Sequence, residues 1–150
     1  MKKQIYLTAL SFLIFFTSCE KEDGKTEKLN VKGIEFSDCM DDTKKSSSSF
    51  SCLNMRTIDD DYIQIQHHNS VFCCGTEQLE IDCELAGDTI FIKEIDLGPH
   101  TYCFCNHDVE FKIGPLKKGT YNLKLVDAYK KDSIFINFEY SDNLNFTNCN

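Results

Sequence analysis

Leu79-Glu80-Ile81-Asp82-Cys83-Glu84-Leu85 alternates apolar and acidic residues without a break. A period of two places Leu79, Ile81, Cys83 and Leu85 on one face of a β-strand and three carboxylates on the other. Ala86-Gly87-Asp88 then supplies turn chemistry, and Thr89 to Ile95 resumes with β-branched residues, so the stretch reads as a hairpin with one buried face. The alternation recurs on both sides. Val109 to Ile113, Tyr121 to Leu125 and Ile134 to Tyr140 read as strands downstream, with Gly114-Pro115-Leu116-Lys117-Lys118-Gly119 as the corner between the first two. Upstream, Leu29 to Phe36 and Tyr62 to His68 read likewise, with His67 and His68 at a strand end. No segment carries an apolar period of 3.6, and no internal repeat is present. The expectation is an all-β chain with almost no helix: a β-sandwich of about seven antiparallel strands, occupying residues 29–150 as one domain.

One local pattern refines this expectation. Leu116-x-x-Gly119-x-Tyr121-x-Leu123 resembles the tyrosine corner of immunoglobulin-like sandwiches, in which the Tyr hydroxyl bonds back to the corner backbone. Gly119 and Tyr121 are therefore candidate structural residues, and the likeness makes Val109–Ile113, Thr120–Val126 and Ser133–Tyr140 the last three strands.

The chain has 150 residues, 16 Lys and Arg against 24 Asp and Glu, and a net charge of −8. That balance argues against binding a nucleic-acid phosphate backbone. Nine cysteines in so short a chain argue against the reducing cytosol. The first residues agree. Met1-Lys2-Lys3 is basic, Ile5 to Phe16 is mostly apolar but too short to span a bilayer, and Phe16-Thr17-Ser18-Cys19 follows. This end resembles the lipobox of bacterial lipoproteins, which implies removal of residues 1–18 and acylation of Cys19. A plain secretory signal, with Cys19 left to pair with another thiol, is the alternative. Lipidation leaves eight cysteines, an even number. Each buried methylene of such an anchor contributes about 0.8 kcal/mol.

Glu20 to Lys28 contains no apolar side chain, so residues 19–28 are expected to form the lipidated Cys and a solvated tether. Its acids also resemble the surface-export signal of lipoproteins from Gram-negative gut anaerobes. That likeness implies an outer-membrane location, lipid-anchored and facing outward, with the periplasmic face as the alternative.

Cys39, Cys52, Cys73, Cys74, Cys83, Cys103, Cys105 and Cys149 are the disulfide candidates. Cys103 and Cys105, two apart on a strand, project in parallel and should each pair elsewhere. A bond from the Cys73/Cys74 pair to the Cys103/Cys105 pair is favoured. Cys39 and Cys52 flank a polar loop containing Ser46 to Ser49 and are expected to close it, leaving Cys83 and Cys149. The rival reading is a zinc or copper site drawn from Cys73, Cys74, Cys103, Cys105, His67, His68, His100 and His107. C-x-C is not the common C-x2-C knuckle and exported thiols oxidise, so the expected metal complement is none.

His68-Asn69-x-Val71-Phe72-Cys73-Cys74, then Cys103-x-Cys105-x-x-Asp108-Val109-x-Phe111-x-Ile113, then Gly119-x-Tyr121 resembles a group of small cysteine-rich secreted lipoproteins of gut Gram-negative anaerobes. The likeness covers roughly residues 62–126, and differs at Phe72, where many relatives carry Asn. It implies an immunoglobulin-like β-sandwich and a location, with no activity assigned.

No Gly-x-Ser-x-Gly, His-Glu-x-x-His or phosphate-loop motif occurs, so no enzymatic site and no cofactor are expected. Asp59-Asp60-Asp61 matches no calcium loop and reads as a solvated charge run. Thr89 and Ser133 stand in Asp-Thr/Ser-aliphatic triplets that resemble an O-glycosylation acceptor, although Asp capping its own turn reads the same. The expected role is binding, to an envelope protein, a glycan or a host protein, with a protease-inhibitor module as one form of it. The alternative is a redox or metal-handling envelope protein using Cys73/Cys74 and Cys103/Cys105.

Overall fold

The computed structural model describes residues 26–40, 50–59, 61–99, 102–129 and 133–149. They form ten strands: β1 (Thr26–Lys28), β2 (Asn30–Phe36), β3 (Cys52–Asp59), β4 (Tyr62–Cys73), β5 (Leu79–Ala86), β6 (Thr89–Asp96), β7 (Phe104–Gly114), β8 (Gly119–Val126), β9 (Ser133–Tyr140) and β10 (Asn145–Cys149). One sheet has the order β1-β5-β6-β8-β9, the other β10-β3-β4-β7-β2. The fold is all-β, two-sheeted and disulfide-stapled.

The hairpin of β5 and β6 runs in register from Leu79↔Asp96 to Ala86↔Thr89 around Gly87, whose φ of 63° suits a residue without a Cβ. Ile81 and Cys83 point inward with Ile90 and Ile92, and meet Ile63, Ile65, Phe72, Phe111 and Ile113 in one buried cluster. Each such aliphatic or aromatic side chain contributes about 1.5–3 kcal/mol on burial.

Three details differ from the sequence expectation. The described residues form ten strands rather than about seven, because β1 and β10 carry little apolar alternation and that of β3 is confined to Leu53 and Met55. β1 has no buried side chain, yet pairs with β5 through Thr26↔Ala86 to Lys28↔Glu84, so residues 26–28 belong to the sandwich rather than to a solvated tether. An edge strand needs only backbone partners. Residues 19–25, Cys19 among them, lie outside the described residues, as does the leader 1–18. Finally, β6 and β8 pair in parallel, Thr89↔Asn122 to Lys93↔Val126. The chain leaves β6 for β7 in the opposite sheet and returns as β8, so its direction reverses twice.

At the β7–β8 corner the Tyr121 hydroxyl donates to the Lys117 carbonyl at 2.8 Å, with the ring packed near Phe138. Gly119 opens β8, and Gly114-Pro115 is cis. Gly114 ends β7 where an added Cβ would lie 2.5 Å from the Asp61 carbonyl oxygen.

Candidate functional site

β4 shapes the polar interior. Ile63, Ile65 and His67 point inward, and so do Ser70 and Phe72, a change of phase that a regular strand cannot make. The register against β7 shifts between His67 and Ser70, and Asn69 takes a left-handed φ of 61°. This bulge lets residues three apart share one face. His67 and His68 are therefore mid-strand, not at a strand end, and point to opposite sides.

Inside, His67 meets Glu94 of β6 and Ser70 meets the same carboxylate. His67 Nδ1 lies 2.7 Å from Glu94 Oε1, and the Ser70 hydroxyl donates to Glu94 Oε2 at 2.5 Å. All three side chains are buried. His67 Nε2 lies 2.6 Å from Ser51 Oγ, just before β3. Beyond Ser70, Asp127 accepts from the backbone N–H groups of Val71 at 3.1 Å and Tyr129 at 2.9 Å. Every side-chain heteroatom of this Ser51–His67–Glu94–Ser70–Asp127 network is thereby offered a partner, as burial demands.

A second cluster surrounds Asp96 at the end of β6. Its Oδ2 accepts from Thr76 Oγ1 at 2.7 Å and from the Cys73 N–H and the Tyr129 hydroxyl at 3.2 Å, and Oδ1 accepts from the Gly98 N–H at 2.8 Å. Burial works to raise the Asp96 carboxyl, but the hydrogen bonds from Thr76, Gly98, Cys73 and Tyr129 outweigh it and hold the group below its ordinary value. The Tyr129 hydroxyl is raised, first by its hydrogen bond with Cys73, then by burial and by Asp96.

The disulfides are Cys39–Cys105, Cys52–Cys149 and Cys74–Cys103. The expected closure of Cys39 onto Cys52 does not occur. Cys52 opens β3 directly opposite Cys149 of β10, Cα atoms 4.1 Å apart. Residues 37–40 run beside β7, with Ser37 N bonded to Asp108 O and Met40 N to Asn106 O, which delivers Cys39 to Cys105. Cys74 N donates to Cys103 O, so that pair stands face to face. Cys73 and Cys83, also disulfide candidates, are in no disulfide. The Cys73 sulfur is buried at 3.2 Å from the Tyr129 hydroxyl. Cys83 is an inward residue of β5 whose thiol is pushed up to about 12, by burial and then by Asp82 and Glu84.

The four-cysteine metal reading fares differently at each residue. The sulfurs of Cys39, Cys74 and Cys105 lie within 4.8 Å of one another, but each is already in a disulfide and offers no thiolate. His107 is buried, with Nδ1 2.7 Å from the Ser37 carbonyl and Nε2 3.2 Å from Cys105 Sγ. His68 points outward to Asp108, and His100 lies outside the described residues. Among the described residues, the histidines therefore do not join the three sulfurs as a ligand set. Thr89 opens β6 with its hydroxyl bonded to Asp88 Oδ1, and Ser133 opens β9 exposed. Of the acidic run, Asp59 closes β3, Asp61 lies in the following turn, and Asp60 is outside the described residues.

The outer face of β4 and β7 carries a second polar array. His68 Nδ1 lies 3.1 Å from Asp108 Oδ2 and Nε2 3.1 Å from Asn54 Nδ2. Gln64 and Gln66 both donate to Glu110, the latter at 2.6 Å. Beside them opens a groove of about 330 Å³ bordered by Glu35, Phe36, Gln66, His68, Asp108 and Glu110.

Sequence reasoning missed Ser51, Ser70, Glu94 and Asp127. For Glu94 the signal was present: alternation through Ile90 and Ile92 lands on it, an acid on the core face. No protein-family model, no curated protein and no solved structure matches the chain.

Proposed function

We propose that this protein is a lipid-anchored binding module of the bacterial cell envelope, held at the outer membrane through Cys19 and facing outward. Its likeness to the small cysteine-rich lipoproteins supports the anchor, and three disulfides suit a domain that lives outside the cytoplasm. The observation that carries the binding role is the groove on the outer face of β4 and β7. There His68, Asp108, Gln66 and Glu110 are held by mutual hydrogen bonds, so little side-chain freedom is lost when a ligand docks.

Glu35, Asp108 and Glu110 make the groove acidic on a chain of net charge −8, and such a field favours a cationic partner. The ligand class is a Lys- or Arg-bearing segment of an envelope or host protein. Binding of the exported protein to an immobilised library of basic peptides tests this. Salt-sensitive capture that falls at least tenfold in Asp108→Asn/Glu110→Gln supports the reading. Capture unaffected by that pair, or by neutral glycans alone, contradicts it.

A redox role is the second reading, favoured by the approach of the Cys39–Cys105 and Cys74–Cys103 disulfides within 4.8 Å. Partial reduction followed by bridge mapping separates the two. Scrambled bonds among Cys39, Cys74 and Cys105 favour exchange chemistry, and stepwise loss of the native bonds favours staples.

A further inference from the structure

Ser51, His67 and Glu94 form one continuous hydrogen-bonded line, whose polarity follows once Glu94 is taken as the carboxylate. Glu94 Oε1 is an acceptor, so the His67 Nδ1 facing it at 2.7 Å carries hydrogen. In the neutral ring, Nε2 is then the basic nitrogen, and the Ser51 hydroxyl at 2.6 Å donates to it. Ser70 occupies the other Glu94 oxygen at 2.5 Å and so turns the carboxylate towards the ring. This is the arrangement of nucleophile, base and orienting acid, recognised by geometry rather than by chain order.

Exposure is graded along the line. His67 and Glu94 are 1% and 0% exposed, whereas Ser51, just before β3, is half-buried. Of the three residues, Ser51 is the one with appreciable exposed surface, and the base behind it is screened from water. The bulge that aims His67 inward also ties down the nucleophile's neighbour, because Asn69 Nδ2 donates to the Phe50 carbonyl at 2.9 Å.

We propose that Ser51 is an activated nucleophile that attacks acyl esters, with His67 as its general base and Glu94 as the positioning residue. The activity goes beyond the binding reading and reverses the expectation of a chain without an enzymatic site. As Oγ bonds to the ester carbonyl carbon, its proton moves to His67 Nε2 and the carbonyl electron pair moves to oxygen. Collapse breaks the bond to the alcohol oxygen, which leaves with that proton, and Ser51 carries the acyl group. Water, giving a proton to His67, attacks the acyl carbonyl. The carboxylic acid departs and Oγ recovers its proton. Exposed Phe50 and the Cys52–Cys149 bridge flank Ser51 in the chain with apolar surface, and the charge of −8 disfavours phosphorylated substrates.

The test is reaction of the full oxidised chain with an alkyl fluorophosphonate, which bonds phosphorus to Oγ, expels fluoride and yields the serine proton to the base. The expected result is one adduct, mapped to Ser51, formed at least a hundredfold faster than in the urea-unfolded chain and absent in Ser51→Ala. Glu94→Gln keeps the side-chain volume, and is expected to lower the limiting rate of labelling at least tenfold with the half-saturating probe concentration unchanged. If that variant fails to fold, Ser51→Ala, which removes only the hydroxyl of a half-buried residue outside the strands, still decides. Labelling of Ser51 no faster than in the unfolded chain, or adducts scattered over other serines, overturns the proposal.

Discussion

His67 Nδ1 stands 2.7 Å from Glu94 Oε1 across the interior of the sandwich, joining β4 of one sheet to β6 of the other where neither side chain meets solvent. A contact of this kind is costly to leave half-made. Removing one partner strands the other, whereas the intact pair exchanges solvation for well-aligned bonds. Glu94 serves two donors, so its loss is felt twice.

Glu94→Ala is therefore expected to cost about 3–5 kcal/mol, the range for breaking a buried pair. Urea unfolding with the disulfides intact measures it. His67→Ala/Glu94→Ala should cost less than the sum of the single variants, because the double variant leaves neither member of the pair stranded.

Tyr121→Phe removes the hydroxyl bonded to the Lys117 carbonyl and leaves the ring in place. The expected loss is about 1 kcal/mol. The midpoint of urea unfolding should fall with an unchanged slope, since the same surface is exposed on unfolding.

The Cys83 thiol gives a pH prediction. It releases its proton near 9.0 in the ordinary state and only at about 12 in the folded chain. Between these values the folded state holds a proton that the unfolded state has lost. Stability from this group is thus full below about pH 9 and declines as pH rises towards 12. Unfolding free energies of wild type and Cys83→Ala, measured across that window, should converge as pH rises.

Cys52–Cys149 closes a separation of 97 residues and clamps the edge strand β10 to β3. Cys52→Ala/Cys149→Ala should cost about 3–5 kcal/mol. Limited proteolysis should then cut first within residues 141–149, with the rest of the sandwich intact.

The hairpin of β5 and β6 was legible because its acids and apolar residues alternate strictly, and the β7–β8 corner because Gly119 and Tyr121 carry its chemistry. β3 was not, since only Leu53 and Met55 mark its inner face before Thr57 and Ile58 break the alternation, and β10 has only Phe146 as a large apolar side chain. The disulfide partners of Cys39 and Cys52 depend on register between strands far apart in sequence, which local spacing does not encode. The polar interior was hidden for a similar reason. His67 and Ser70 share a face only through the bulge at Asn69, and a period-two reading assigns them to opposite sides. Glu94 was readable by phase alone, but an acid between Lys93 and Ile95 is more often outside.

The most direct measurement is mass spectrometry of the native protein isolated from membranes and digested without reduction. The account predicts an N-terminal peptide beginning at an acylated Cys19, bridges Cys39–Cys105, Cys52–Cys149 and Cys74–Cys103, and Cys73 and Cys83 as unbridged thiols. A chain that keeps Met1, lacks lipid and yields nine reduced cysteines would contradict it.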